Sequence, residues 1–296
     1  MKKIAHPKKF HYNCSVLVSY NTTMIEISNL DFGYRKKSPL FDQLSLTIES
    51  GKIVGLLGAN GVGKSSLIKL IAGLVFKKSG AISTLNYDPA RRHSSMLQDV
   101  YLLPEETTLS GKSILWHSTN IGCLYPKFDH QLLRDLLDCF DVPVKSTLYD
   151  MSLGQRKKAQ IAFALATNTR LLLLDEPTNG LDIAAKSQFR QIIASSMTDE
   201  RTIVISTHQI RDLDTMLDQI VILKNGKCVF NKNVHEIMYN YLFLHGLKST
   251  DGLDILYKQQ HLGTYSVVAK ADRGETSRTD YELLYNAVIS NPLNFH

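Results

Sequence analysis

The sequence predicts an α/β fold: a mostly parallel core sheet covered by helices, with an antiparallel β-subdomain and a helical subdomain attached. Three observations predict it. Short apolar runs at 53–57, 171–174, 203–206 and 220–223 alternate with helix-period segments, as in a parallel sheet buried on both faces. Residues 25–27 and 44–48 instead alternate apolar and polar side chains, the period of half-buried antiparallel strands. Between about 113 and 141, Ile114, Leu115, Leu132, Leu133, Leu136, Leu137 and Phe140 recur at helical spacing, which gives a helix pair an internal apolar face.

In chain order, residues 32–39 read as a polar loop between two strands. The run at 53–57 feeds a glycine-rich loop, and the helical pattern 66–73 leaves it. Ser79-Gly80 marks a turn into a strand at 81–83. A strand at 100–103 is stopped by Pro104, which lacks the N–H that a ladder needs. Residues 152–167 are helical, and Asn225-Gly226 turns a tight hairpin from 220–223 into 227–230. Beyond Asn231 the pattern predicts a helix at 234–238, a strand at 265–268 and a helix at 280–290 with Leu284, Ala287 and Val288 on one face.

The loop Gly58-Ala59-Asn60-Gly61-Val62-Gly63-Lys64-Ser65 fits G-x-x-x-x-G-K-[ST], set between a strand and a helix. Its glycines let backbone N–H groups point inward, and the helix aims its positive end at the same point. An anion such as a nucleotide phosphate belongs there. Gly58, Asn60, Gly61, Gly63, Lys64, Ser65 and Ser66 are the expected nucleotide contacts; Lys64 reaches the β- and γ-phosphates and the Ser65 hydroxyl ligates Mg²⁺. Four leucines at 171–174 then end in Asp175-Glu176-Pro177. The C-terminal end of a central parallel strand is where ligands bind in open α/β sheets. Asp175 is placed to hold Mg²⁺ and Glu176 to orient and deprotonate the water attacking the γ-phosphate.

Met151-Ser152-Leu153-Gly154-Gln155 opens a helix about 20 residues before that acid pair. With this third element the chain resembles the ATP-binding cassette (ABC) ATPases over roughly 24–230, and within them the export-type cassettes. The resemblance implies ATP as substrate, Mg²⁺ as cofactor, and two cassettes associating head to tail. Ser152, Gly154 and Gln155 of one then contact the nucleotide on the other. Met151 and Leu153 depart from the family's usual L-S-G-G-Q, which puts the hydrolysis rate rather than the role in question. By the same resemblance Tyr34 stacks on adenine, His208 is the switch histidine at the γ-phosphate, and Asp182 lies in the loop linking the two sites. Glu105 occupies the place where many members carry a glutamine that helps hold Mg²⁺; Gln98 is the alternative, nearer the phosphate loop. Glutamate there resembles cassettes serving separate export-type membrane subunits.

The expected domains are a basic N-terminal extension (1–23), the cassette (24–230, with a helical subdomain at about 106–165) and a small C-terminal α/β accessory region (231–296). The extension carries Lys2, Lys3, Lys8 and Lys9 and no acid; a disordered arm, translation from upstream of a start at Met24, or a membrane-surface contact each fit it. Without it the net charge falls from +6 to +2, so no specific nucleic acid is expected as partner. Four scattered cysteines without C-x-x-C spacing suit a reducing compartment. No run approaches the roughly 18 apolar residues a membrane span needs. The resemblance therefore implies a separate transmembrane permease, a homodimer or a pair with a paralogous cassette, and a cytoplasmic position on the inner face of the membrane. A soluble cassette acting on ribosomes or nucleic acid is the alternative.

Overall fold

The computed structural model describes residues 23–35, 39–106, 111–213, 216–272, 277–291 and 295. Residues 1–22 of the expected extension lie outside the described residues. Strands β1 (Thr23–Phe32) and β2 (Phe41–Glu49) pair antiparallel, with buried side chains alternating along β2. β3 (Ile53–Leu57) is buried throughout and passes through the glycine loop into helix α1 (Lys64–Ile71). β4 (Ser79–Thr84) returns to the other edge of β1, completing a three-stranded antiparallel sheet in the order β2-β1-β4.

A four-residue helix α2 (Ser94–Leu97) precedes β5 (Val100–Leu103). The helical portion holds α3 (Ile114–Asn120), α4 (His130–Cys139) and α5 (Leu153–Ala166). Ser113 and Asp129 cap the first two through side-chain oxygens, satisfying N–H groups the helix itself cannot. Leu133, Leu136 and Leu137 are buried, as the spacing predicted. β6 (Leu171–Asp175), α6 (Ile183–Ser195), β7 (Thr202–Thr207), β8 (Gln219–Lys224) and β9 (Lys227–Asn233) follow.

The core sheet has the order β5-β6-β7-β3-β8-β9, parallel except for β9. Each strand serves two cores because successive side chains point to opposite faces. Leu171 and Leu173 join Val54, Leu56, Val204 and the antiparallel sheet on one face. Leu172 and Leu174 join Ile203, Ile205 and the helices α5 and α6 on the other. The four leucines are each 0–1% exposed, worth about 1.5–3 kcal/mol apiece. A buried side chain on both faces leaves no place for polar alternation, which is why these runs read as continuous.

The C-terminal region holds helix α7 (Val234–Asn240), then β10 (Tyr241–Leu247), β11 (Ile255–His261), β12 (Thr264–Lys270) and helix α8 (Tyr281–Ser290). The expected helices and β12 are present; β10 and β11, which flank β12 in a second antiparallel sheet, were missed. Leu284, Ala287 and Val288 of α8 are fully buried and share one core with Ile210 and Leu213, just beyond β7.

Arg201 fastens the end of the sheet opposite the acid pair. It is 7% exposed, and its guanidinium donates to the Thr169 carbonyl (3.2 Å), the Ser196 carbonyl (3.0 Å) and Asn168 Oδ1 (2.9 Å). These acceptors lie where α5 and α6 end, so two negative helix ends face one cation. Burial holds the Arg201 pKa below the usual guanidinium value. Arg201→Ala strands those acceptors and is expected to cost about 2–3 kcal/mol, read as a lowered urea midpoint. A loss under about 0.5 kcal/mol, the scale of an ordinary surface substitution, would show that the fastening contributes little.

Candidate functional site

β3 lies centrally in the core sheet and delivers the glycine loop to the C-terminal ends of the parallel strands. The loop needs left-handed backbone at Gly61 (φ +79°) and Gly63 (φ +110°), which L side chains disfavour. Gly58 and Asn60 lie at the start and the exposed tip of the loop. Lys64, the first helical residue, is 6% exposed and folds back over the loop. Its Nζ donates to the carbonyls of Gly58 (2.9 Å) and Ala59 (3.4 Å) and lies 3.6 Å from Glu176 Oε1. The Ser66 hydroxyl is 3.1 Å from the Tyr34 hydroxyl. Tyr34 is 66% exposed beside the loop, with its ring edge-on to Phe32 at 5.0 Å, leaving aromatic surface open for stacking.

Asp175 and Glu176 end β6 next to this loop and are 4% and 5% exposed. Asp175 Oδ1 accepts from the Ser206 hydroxyl, while the Glu176 backbone N–H donates to Ser206 Oγ and to the Ser206 carbonyl. Glu176 has φ +45°, a strained conformation of the kind that clusters at functional sites. His208 Nδ1–H donates to Glu176 Oε1 at 2.9 Å, and Gln209 Nε2 donates to His208 Nε2 at 3.3 Å; this pattern assigns the proton of the neutral ring to Nδ1. Glu176 Oε2 is buried with no hydrogen-bond partner among the described residues. An orphaned carboxylate oxygen is costly and becomes useful when a donor such as water arrives.

Register places Glu105 and Gln98, the two side chains considered for the Mg²⁺ loop, at opposite ends of β5. Leu103 pairs with Leu174 and Val100 with Leu171, so Glu105 lies at the Asp175 end of the sheet. Gln98 caps the end of α2, beyond the opposite end of β5, a strand length of roughly 10 Å away. Glu105 Oε1 accepts from Asn179 Nδ2 at 2.9 Å, tying its loop to the segment after Glu176. Ser65, Asp175 and Glu105 all line one groove of about 870 Å³, whose far wall includes Gln98.

The groove suits Mg²⁺ held partly by a nucleotide. Its donors are hard oxygens, and no cluster of three or more His, Cys, Asp or Glu among the described residues makes a cage by itself. Mg²⁺ commonly takes one or two carboxylates and completes its shell with phosphate oxygens and water. The orphaned Glu176 oxygen beside Asp175 adds a waiting acceptor at the same end of the sheet.

Ser152, Gly154 and Gln155 are placed differently. Ser152 caps α5: its hydroxyl accepts from Gln155 N–H (3.2 Å), and Gln155 Oε1 accepts from Ser152 N–H (3.1 Å). None of the three hydrogen-bonds the chain's own phosphate loop among the described residues. Leu153 is 68% exposed and reaches toward Gly180. Asp182 caps α6, accepting from Ala185 N–H at 2.7 Å, and is followed by Ile183 at 88% exposed. Leu153 thus lies against Gly180, and both it and Ile183 are exposed.

Sequence reasoning missed Ser206, Asn179, Gln209 and Lys157, all of which hold the predicted residues in place. Ser206 offered one signal, a polar residue directly after the apolar run 203–205 of β7.

Comparison with known proteins follows the same lines. A family model described as ABC transporter matches residues 41–179. A lantibiotic transport ATP-binding protein, SrtF of Streptococcus pyogenes, is 30% identical over 74% of this chain and 97% of its own. The ABC transporter ATP-binding protein YtrB of Bacillus subtilis is 28% identical over 81% of this chain and 82% of its own. A solved structure described as the ATP-binding subunit of an ABC transporter superposes with a TM-score of 0.66 at 26% identity, covering 73% of this chain and 92% of the other.

Proposed function

We propose a working cycle for this chain from one premise: it belongs to the ABC transporter family and is an ATP-binding, ATP-hydrolysing subunit coupled to transport. Two cassettes close head to tail around two ATP molecules and reopen after hydrolysis, driving a separate transmembrane subunit in the export direction. The observation that carries this reading is the division of the site. Lys64, Glu176 and His208 meet at one point, whereas Ser152, Gly154 and Gln155 stand on an exposed helix start with no bond to it. A second cassette, identical or paralogous, brings the two halves together.

In this reading Tyr34 stacks on the adenine, and the loop from Gly58 to Ser66 cradles the phosphates, with Asn60 and Gly61 at its open tip. Lys64 leaves the loop carbonyls for the β- and γ-phosphates. Ser65, Asp175 and Glu105 would hold Mg²⁺, which would supply charge neutralisation for the phosphates. Glu176 accepts the proton of the attacking water through the oxygen that otherwise lacks a partner. His208 holds the other oxygen in place and turns toward the γ-phosphate. The α5 N-terminus of the partner cassette presents its N–H groups to the same phosphate, and Asp182 lies in the loop that joins the two sites. The membrane subunit docks this chain on the inner face of the cell membrane, a reading supported by its likeness to transport ATP-binding subunits; no helix among the described residues is long and apolar enough to cross a membrane. The glutamate at 105 favours the export direction by its resemblance to export-type cassettes.

The test is recovery of tagged Glu176→Gln protein with ATP from detergent-solubilised membranes of the producing cell. A polytopic membrane protein is expected to co-purify in stoichiometric amount. Recovery of ribosomes or nucleic acid alone would replace this reading with a soluble cassette machine.

A further inference from the structure

Lys157 is a buried cation that the cycle above leaves idle. It lies on α5, five residues after Ser152, and is 5% exposed. Its Nζ donates to the Glu105 carbonyl at 3.1 Å. Burial lowers its pKa, while the charges of Glu105, Asp175 and Glu176 oppose that shift. A buried ammonium persists only where paired charge compensates its desolvation. The acids whose charge favours the ammonium are Glu105, Asp175 and Glu176, and Glu105 and Asp175 line one groove.

We propose that Lys157 is a positioning residue: it ties the Glu105 loop to α5 and supplies the counter-charge of the three carboxylates until a divalent cation takes that part. The inference rests on the functional reading above. With a divalent cation held by Asp175 and Glu105, the Lys157 ammonium would face like charge, and its bond to the Glu105 carbonyl is the contact positioned to yield. The same helix begins at Ser152, which faces the partner's nucleotide. Metal loading in one site is therefore mechanically joined to the surface that reads the other. The Glu105 loop follows β5 of the core sheet, whereas Lys157 lies on α5, so this hydrogen bond links the groove end of the sheet to the helix that begins beside Ser152.

Two substitutions separate its charge from its hydrogen bond. Lys157→Gln removes the charge and keeps an N–H donor; Lys157→Met removes both at similar length. Affinity for a fluorescent ATP analogue is measured in Mg²⁺ and in EDTA, and the ratio of the two gives the metal–nucleotide coupling. Without the resident cation, metal-free binding weakens and metal-bound binding does not. Both variants are expected to raise the ratio on the order of ten-fold, the scale of one charge acting at close range in a partly buried site. Lys157→Met alone is expected to lose ATP cooperativity of hydrolysis in the assembled transporter, because only it loses the tie to Glu105. Ratios within two-fold of the unsubstituted chain for both variants overturn the charge role, and unchanged cooperativity in Lys157→Met overturns the tie. If Lys157→Met fails to fold, the Lys157→Gln ratio decides the charge role, and Lys157→Ala, which also lacks the donor, is used to read cooperativity. The unsubstituted chain keeps the two levels apart. Failure of that chain to bind Mg-ATP or to hydrolyse it cooperatively would sink the functional reading, whereas normal behaviour there with silent variants sinks this inference alone.

Discussion

Glu176→Gln is expected to lower the steady-state ATPase rate by about 10³-fold, within the range for removing a general base, while leaving ATP affinity equal or higher. Glutamine fills the same volume and keeps a carbonyl oxygen where Glu176 Oε1 accepts from His208, so the packing around this buried side chain survives. What disappears is proton acceptance at Oε2, the buried oxygen with no partner. The substitution also removes a negative charge close to Lys64, 3.6 Å from Glu176. Lys64 is then freer to turn to phosphate, and repulsion between the carboxylate and the γ-phosphate vanishes. The closed, nucleotide-filled dimer should accumulate. Phosphate release gives the rate, and gel filtration with retained ATP gives the dimer. Hydrolysis within about five-fold of the unsubstituted chain, well short of the usual cost of losing a general base, would move the base to another group.

The large features of this fold were legible because they depend on local period. Residues 171–174 read as a buried strand from four leucines, and α5 was legible from its helical pattern, its start being fixed in the structure by a capping box between Ser152 and Gln155. The hairpin was legible from Asn225-Gly226, both of which take positive φ. β10 and β11 were not, and the reason is physical. They are the outer strands of their sheet, and β11 ends in Lys258-Gln259-Gln260-His261, with side chains half-buried or exposed and no regular alternation. Within the candidate site, the phosphate loop and the acid pair were visible as motifs while the contacts that support them were not. Asn179 on Glu105, Lys157 on the Glu105 carbonyl and Ser206 on Asp175 are contacts across 31 to 74 residues of sequence, set by strand register rather than by spacing. Register also separated Glu105 from Gln98, which spacing left open.

Gly63→Ala should abolish nucleotide binding, with affinity reduced at least about 100-fold, in a chain that still folds. At φ +110° an L residue is strained by roughly 1–2 kcal/mol. Space adds to the strain. A Cβ there would lie 2.7 Å from Cε1 and Cζ of Phe41 and 3.2 Å from Leu40 Cγ. Phe41 is fully buried at the start of β2 and packed in the core beside β1 and β3, so it has nowhere to retreat. The phosphate loop must move instead. Gly63 immediately precedes Lys64, and displacement carries away both the lysine and the N–H groups at the start of α1. Losing two charge-assisted hydrogen bonds of about 1.5–3 kcal/mol each accounts for a fall of two to four orders of magnitude. Gly61→Asn is the matched control: its φ of +79° suits asparagine better than most residues, and a Cβ there meets nothing within 4 Å. A fluorescent ATP analogue titrated against both variants, with a thermal melt for each, makes the comparison. If Gly63→Ala bound within three-fold of the unsubstituted chain, the contact with Phe41 would not set the loop's shape. If Gly61→Asn lost binding equally, backbone strain alone, rather than the wall that Phe41 presents, would be what the loop cannot accept.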